Sequence, residues 1–129
     1  MNWQPLFPKG QSAPVAPYSL GTKTSSGLIV SAGFVAIDEA GKTIGVGDAA
    51  EQTRAILKSI DAVLREGGGT MGDVFQAQIF IKDFSDYAAV NAVYKEFFSD
   101  PYPARYCIRA DLVKPEWLVE IAVMAQVKP

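Results

Sequence analysis

The chain has 129 residues, 49% of them hydrophobic, with a net charge of −2 and no histidine. That size fits a single domain over residues 1–129, and the charge offers no basic footprint for nucleic acid. With no histidine and Cys107 as the sole cysteine, the usual Ser-His-Asp and Cys-His nucleophiles, imidazole or thiolate zinc sites and an intrachain disulfide are all excluded.

The opening stretch, MNWQPLFPKG, has no basic segment ahead of an apolar run, which reads against a signal peptide. No window nears the ~20 apolar residues of a membrane span, and a lone cysteine suits a reducing compartment. The expected location is the cytoplasm, with no membrane partner.

The first 26 residues, rich in Pro, Ser, Gly and Lys, read as extended chain and loop. GLIVSAGFVAID (27–38) reads as a strand, EAGK (39–42) as a turn, and residues 43–46 as a short hairpin partner. Asp48 offers a helix N-cap, with Glu51 three residues on as in a capping box. Ile56, Leu57, Ile60, Val63 and Leu64 form one apolar stripe with Thr53, and Gly67–Gly69 end the helix. VFQAQIFIK (74–82) reads as a strand. A second helix spans about 85–98, with Tyr87, Val90, Tyr94, Phe97 and Phe98 on its buried side. Pro101 and Pro103 close it, and RYCIR and EWLVEIAVMAQV supply two more strands around the loop ADLVKP.

The order β-β-α-β-α-β-β predicts an α+β domain, a mixed or antiparallel sheet with two helices on one face. The last strand is apolar on both of its faces, so the second face is expected to meet other subunits in a homo-oligomer.

GGGT (67–70) ends a helix and precedes no lysine, so it reads as a structural stop and not as a phosphate cradle. Cys107 reads more readily as a small buried hydrophobe than as a nucleophile, because nothing nearby in sequence would form the thiolate. Tyr87 and Asn91 lie one turn apart and could bind a ligand or make a helix-to-loop hydrogen bond. Tyr18, in APYS, could pack or act as a hydroxyl lid. Glu120 is the one charge inside the last apolar strand, where an ionised carboxylate is costly unless it is paired or used. If RYCIR and EWLVEIAVMAQV form an antiparallel hairpin, Arg105 faces Glu120, as a structural ion pair or as part of a site.

At YPARYCIRADLVKPEWLVEIAVMAQV the sequence resembles the reactive-intermediate deaminase family, the RidA/YjgF-type proteins also known as endoribonuclease L-PSP. APYS, the Ala-Gly at 32–33, the Gln-Thr at 52–53, GGGTMGDV and YAAVNAVYKEFF agree in order, so the resemblance spans nearly the whole chain. Within the family, GGGTMGDV, YAAVNAVYKEFF and PARYCIRADLVKP are similar to the RutC-like aminoacrylate deaminase branch. The resemblance implies a chorismate-mutase-like α+β fold, a homotrimer with clefts between subunits, and no cofactor or metal. It implies hydrolysis of small enamine or imine carboxylates, such as 3-aminoacrylate or 2-aminoacrylate, to oxo acids and ammonia. Arg105 would hold the substrate carboxylate and Glu120 would orient or deprotonate a water. Tyr18, Gly33, Asn91 and the Cys107 backbone would line the site. Two alternatives are a non-enzymatic trimer that binds oxo acids and a ribonuclease, and the acidic, histidine-free composition disfavours the second. Ala32 and Phe34 depart from the family's usual Ser-Gly-polar pattern, the preceding KTSSG loop is one residue longer, and Phe34 is expected to narrow the pocket.

Overall fold

The computed structural model describes residues 1–129 as six strands and two helices, β1 (Trp3–Leu6), β2 (Gly21–Thr24), β3 (Leu28–Ser31), α1 (Ala49–Glu66), β4 (Val74–Ile81), α2 (Tyr87–Phe97), β5 (Ala104–Arg109) and β6 (Val119–Gln126). They form one sheet in the order β1-β2-β3-β6-β4-β5. All neighbours are antiparallel except β4 and β5, which run parallel through α2. The α+β class and the two helices on one face agree with the sequence expectation.

α1 begins where its cap predicts. Asp48 is extended (φ −128°, ψ 96°) and its carboxylate accepts the Glu51 N–H at 3.0 Å, a contact commonly worth ~1 kcal/mol. The capping box is not completed, because the Asp48 N–H donates to the Gly45 carbonyl at 2.9 Å. Ile56, Leu57, Ile60, Val63 and Leu64 are fully buried against the sheet. Gly68 (φ +85°) turns the chain out of the helix in the left-handed region that glycine enters without strain.

The N-terminal segment holds the first departure. Residues 3–6 and 21–24, expected as loop, are β1 and β2, with Trp3 opposite Thr24 and Leu6 opposite Gly21. Prolines at 5 and 8 mask the pattern, yet Pro5 sits on an edge strand, where its missing N–H costs nothing in the ladder.

The expected 27–38 strand is also shorter. It runs only from Leu28 to Ser31, and the 43–46 partner reduces to one bridge between Ile37 and Thr43. The cause is a bulge. From the Val30–Met124 pair to the Phe34–Ile121 pair, three residues intervene on one side (31, 32, 33) and two on the other (123, 122). The Ser31 hydroxyl accepts the Val123 N–H at 2.9 Å, so Ala32 and Gly33 are pushed out of the ladder without orphaning that donor.

The largest correction concerns β5 and β6, which do not form a hairpin. β4 lies between them, pairing Arg105 with Ala77 and Glu120 with Phe80. Ala77 and Phe80 are an odd number of residues apart on one strand, so Arg105 and Glu120 project from opposite faces of the sheet. A parallel β4-α2-β5 unit and a long loop back to the centre replace the short antiparallel connection that spacing suggested.

Candidate active site

Alternation along β6 defines two different environments. Val119, Ile121, Val123 and Ala125 are buried under the helices, whereas Glu120, Ala122 and Met124 are half-buried on the face without helices. On that open face β5 leaves Tyr106 and Ile108 exposed. The expectation of a second apolar sheet face is met, and within one protomer nothing covers it.

Glu120 opens into a cavity of about 880 Å³ on this side. Its walls include Val15 to Ser19, Val30, Ala32, Gly33, Val35, Ile37 and Trp117. The β3 bulge brings Gly33 directly against Glu120. A Cβ at position 33 would fall 2.5 Å from Glu120 Oε2 and displace the carboxylate, so glycine gives room for the close approach seen here, at an ordinary φ. Glu120 has no salt-bridge or hydrogen-bond partner among the protein groups. Burial alone holds its carboxyl above the usual carboxylate range, which favours a group that exchanges protons over a permanently ionised one.

Arg105 lies at the other edge, on the helix side. Its Nη2 donates to Asn91 Oδ1 at 2.8 Å and to Tyr87 Oη at 3.1 Å. The guanidinium carbon sits 4.9 Å from the Tyr94 ring centroid and 5.8 Å from that of Tyr87. No carboxylate neutralises it. This is a cation held in place by two neutral acceptors and an aromatic floor, with its charge left over for a ligand. The YxxxN pair therefore has a definite job: Asn91 contacts Arg105 and not Glu120, and it positions the cation. Tyr87 is exposed, contrary to the expectation that it packs. Beside Arg105, Asn91, Tyr94, Lys95, Tyr102 and Pro103 line a second cavity of about 460 Å³.

Six candidate residues thus form two clusters in one protomer: Tyr18, Gly33 and Glu120 on one cavity, and Arg105, Asn91 and Cys107 along β5 and α2. The predicted Arg105–Glu120 contact is absent. Phe34 is also corrected. Its side chain is buried in the core, and Ala32, not Phe34, lines the Glu120 cavity.

Cys107 is half-buried beside Arg105, and burial pushes its thiol above the ordinary range despite that cation. A thiol held protonated is a poor nucleophile. Cys107→Ser and Cys107→Ala are therefore expected to keep wild-type turnover within about twofold, since both keep the backbone N–H. Loss of nearly all turnover by a folded variant, checked by circular dichroism, would overturn that assignment.

Gln52 entered the sequence reading only as part of the matching Gln-Thr, with no role given to it. It is fully buried, donating to the Gly45 carbonyl at 3.1 Å and the Glu116 carbonyl at 2.9 Å while accepting the Leu118 N–H at 2.9 Å. These bonds moor the start of β6, and hence Glu120, to α1. The available signal was an amide next to the helix's apolar stripe, a place tolerable only with partners.

The endoribonuclease L-PSP family model matches residues 10–127. The 3-aminoacrylate deaminase RutC of Acinetobacter baylyi is 44% identical over 122 residues, covering 95% of this chain and 96% of that protein. Among solved structures, YyfA of the conserved Rid protein family from Yersinia pestis superposes with a TM-score of 0.89 at 30% identity, covering 97% of this chain and 99% of that one. E. coli TdcF with bound serine superposes with a TM-score of 0.86 at 25% identity, covering 97% and 99%. On the match over residues 10–127 and the likeness to RutC and the Rid proteins, the chain belongs to the endoribonuclease L-PSP family, the RidA/YjgF-type proteins.

Proposed function

We propose that this protein is a cofactor-independent deaminase that hydrolyses small enamine and imine carboxylates of the 3-aminoacrylate or 2-aminoacrylate type, releasing oxo acids and ammonia. The similarity to a 3-aminoacrylate deaminase supports the reaction class, and serine bound to TdcF supports a small amino-acid-like ligand. Arg105 grips the substrate carboxylate. An enamine first tautomerises to its imine. Glu120 then takes a proton from water as the oxygen adds to the C=N carbon and delivers it to nitrogen. The hydroxyl proton of the resulting carbinolamine follows by the same carboxylate as the C–N bond breaks, leaving the C=O group and ammonia. Imines hydrolyse readily in water, so orientation and proton transfer suffice as the protein's contribution. Tyr18, Gly33, Asn91 and the Cys107 backbone frame the substrate. The whole chain acts as one deaminase domain, and the lone free cysteine suits the cytoplasm.

One observation carries the assembly: Arg105 and Glu120, the two groups the reaction needs, stand on opposite faces of the same sheet. A shared site then requires Arg105 of one subunit and Glu120 of another, in a homotrimer that also covers the apolar face bearing Ala122 and Met124. Arg105→Ala and Glu120→Gln are each expected to be inactive alone. Refolding the two together in equal amounts should restore activity to about a quarter of wild type, the share of interfaces in a random trimer with both groups intact. An inactive mixture that demonstrably exchanges subunits, or an active monomer by sedimentation, would overturn the shared site. An acidic chain without histidine gives ribonuclease activity no comparable support.

A further inference from the structure

The hydroxyl of Tyr87 stands at the approach to Arg105, and the reaction outlined above gives it no part. Nη2 of Arg105 carries two hydrogens, and both have protein acceptors, Asn91 Oδ1 at 2.8 Å and Tyr87 Oη at 3.1 Å. A guanidinium can grip a carboxylate along either of two edges, and each edge uses one Nη2 hydrogen. Both edges are therefore occupied before a ligand arrives, and a carboxylate gripped in two-point fashion has to replace one acceptor.

The two acceptors differ. Asn91 is half-buried and makes the shorter bond, whereas Tyr87 is 42% exposed, at the first position of α2, and makes the longer one. Tyr87 is thus the partner that can yield. Its oxygen accepts from Arg105, while its own O–H has no acceptor among the protein groups. A phenol so placed can turn that O–H toward an anion on the same guanidinium edge. Tyr94, the other ring beside Arg105, cannot do this, because its hydroxyl is buried.

We propose that Tyr87 is a ligand-binding residue: its hydroxyl occupies the Arg105 fork at rest, cedes Nη2 to the incoming carboxylate, and donates its O–H to that carboxylate. This rests on the reading of Arg105 as the carboxylate receptor. It assigns the site a third donor for short planar carboxylates, beyond the guanidinium's own two, and makes the receptor neutral-capped while empty.

Calorimetric titration of pyruvate into wild type, Tyr87→Phe and Asn91→Ala tests it. Tyr87→Phe deletes one oxygen from an exposed ring, so the melting temperature should not move, while affinity falls about threefold, because the bond gained to the carboxylate is offset in part by the long 3.1 Å bond that Arg105 gives up. In 13C-tyrosine-labelled protein, the Tyr87 Cζ resonance, assigned by its disappearance in Tyr87→Phe, should shift as pyruvate saturates Arg105. In Asn91→Ala, which removes the other acceptor on Arg105 and leaves Tyr87 in place, that shift should persist at saturation. Unchanged or tighter binding by Tyr87→Phe, or a resonance that stays put at saturation, overturns the role of Tyr87 and leaves Arg105 as receptor. Failure of wild type to bind pyruvate overturns the receptor reading itself, and this proposal with it.

Discussion

Arg105→Ala is expected to lose oxo-acid binding and imine turnover together while remaining folded. The side chain is half-buried on an edge strand, and its partners Asn91 and Tyr87 can turn to water when it is removed. Truncation therefore leaves no buried orphan, and the melting temperature should stay near wild type. Ligand recognition has no such reserve. A charge-assisted two-point contact to a carboxylate is commonly worth ~1.5–3 kcal/mol, so affinity and turnover should fall at least about tenfold. Arg105→Lys retains the charge, but an ammonium cannot hold Asn91 and a two-point carboxylate in one plane, so it should recover little. Pyruvate titration, imine turnover and thermal melts on the same preparations check all three statements. A folded Arg105→Ala protein with normal turnover would sink the mechanism.

Glu120→Gln should do the reverse of what a structural ion pair would do: turnover falls steeply while stability holds or rises. In the folded protein burial raises the Glu120 pKa, and no cation opposes it. A carboxyl with its folded pKa above the unfolded value contributes stability that is full below the unfolded pKa and is lost as pH rises through the folded pKa. At neutral pH, therefore, the ionised side chain costs stability, and a neutral amide of the same shape removes that cost. Catalysis has the opposite requirement, since only the ionised carboxylate accepts a proton. The ascending limb of wild-type turnover against pH should lie above the ordinary carboxylate range, and Glu120→Gln should abolish it. Oxo-acid affinity should change much less than turnover, because Arg105 is untouched. The pH profile of turnover, with melts at pH 4 and pH 7.5, separates the readings. A variant destabilised at neutral pH, yet fully active where folded, would return Glu120 to a structural role.

The placement of these residues also explains why one protomer is unpersuasive as an enzyme. Its cation is neutral-capped on the helix side of the sheet, and its carboxylate opens into a cavity on the other. Each half alone is a familiar, inexpensive arrangement: an arginine on aromatic rings, and a half-buried acid with no partner. On the proposed shared site, both meet at one substrate, and the open apolar face beside Glu120 is the surface at which assembly would complete it.

Much of this was local and therefore legible in the chain. Asp48, the 56–64 stripe and Gly67–Gly69 set the limits of α1 by contacts within a few residues, and the apolar run 116–127 read as a strand buried on both faces. Glu120 was conspicuous as a charge in that run, and the identity of Arg105 followed from its motif. What the sequence could not decide was which strands are neighbours. Register and order depend on contacts between distant segments, such as Ala77 with Arg105 and Phe80 with Glu120, and following one another in the chain does not oblige two strands to pair. The bulge at Ala32–Gly33 was likewise hidden, because it rests on the Ser31 hydroxyl substituting for a ladder acceptor to Val123, 92 residues away. The sequence by itself thus determined the helices, the last strand and the chemical groups. Only the tertiary structure, by inserting β4 between β5 and β6, decided that those groups face apart, because sheet order is settled by how the whole apolar surface is buried and not by proximity along the chain.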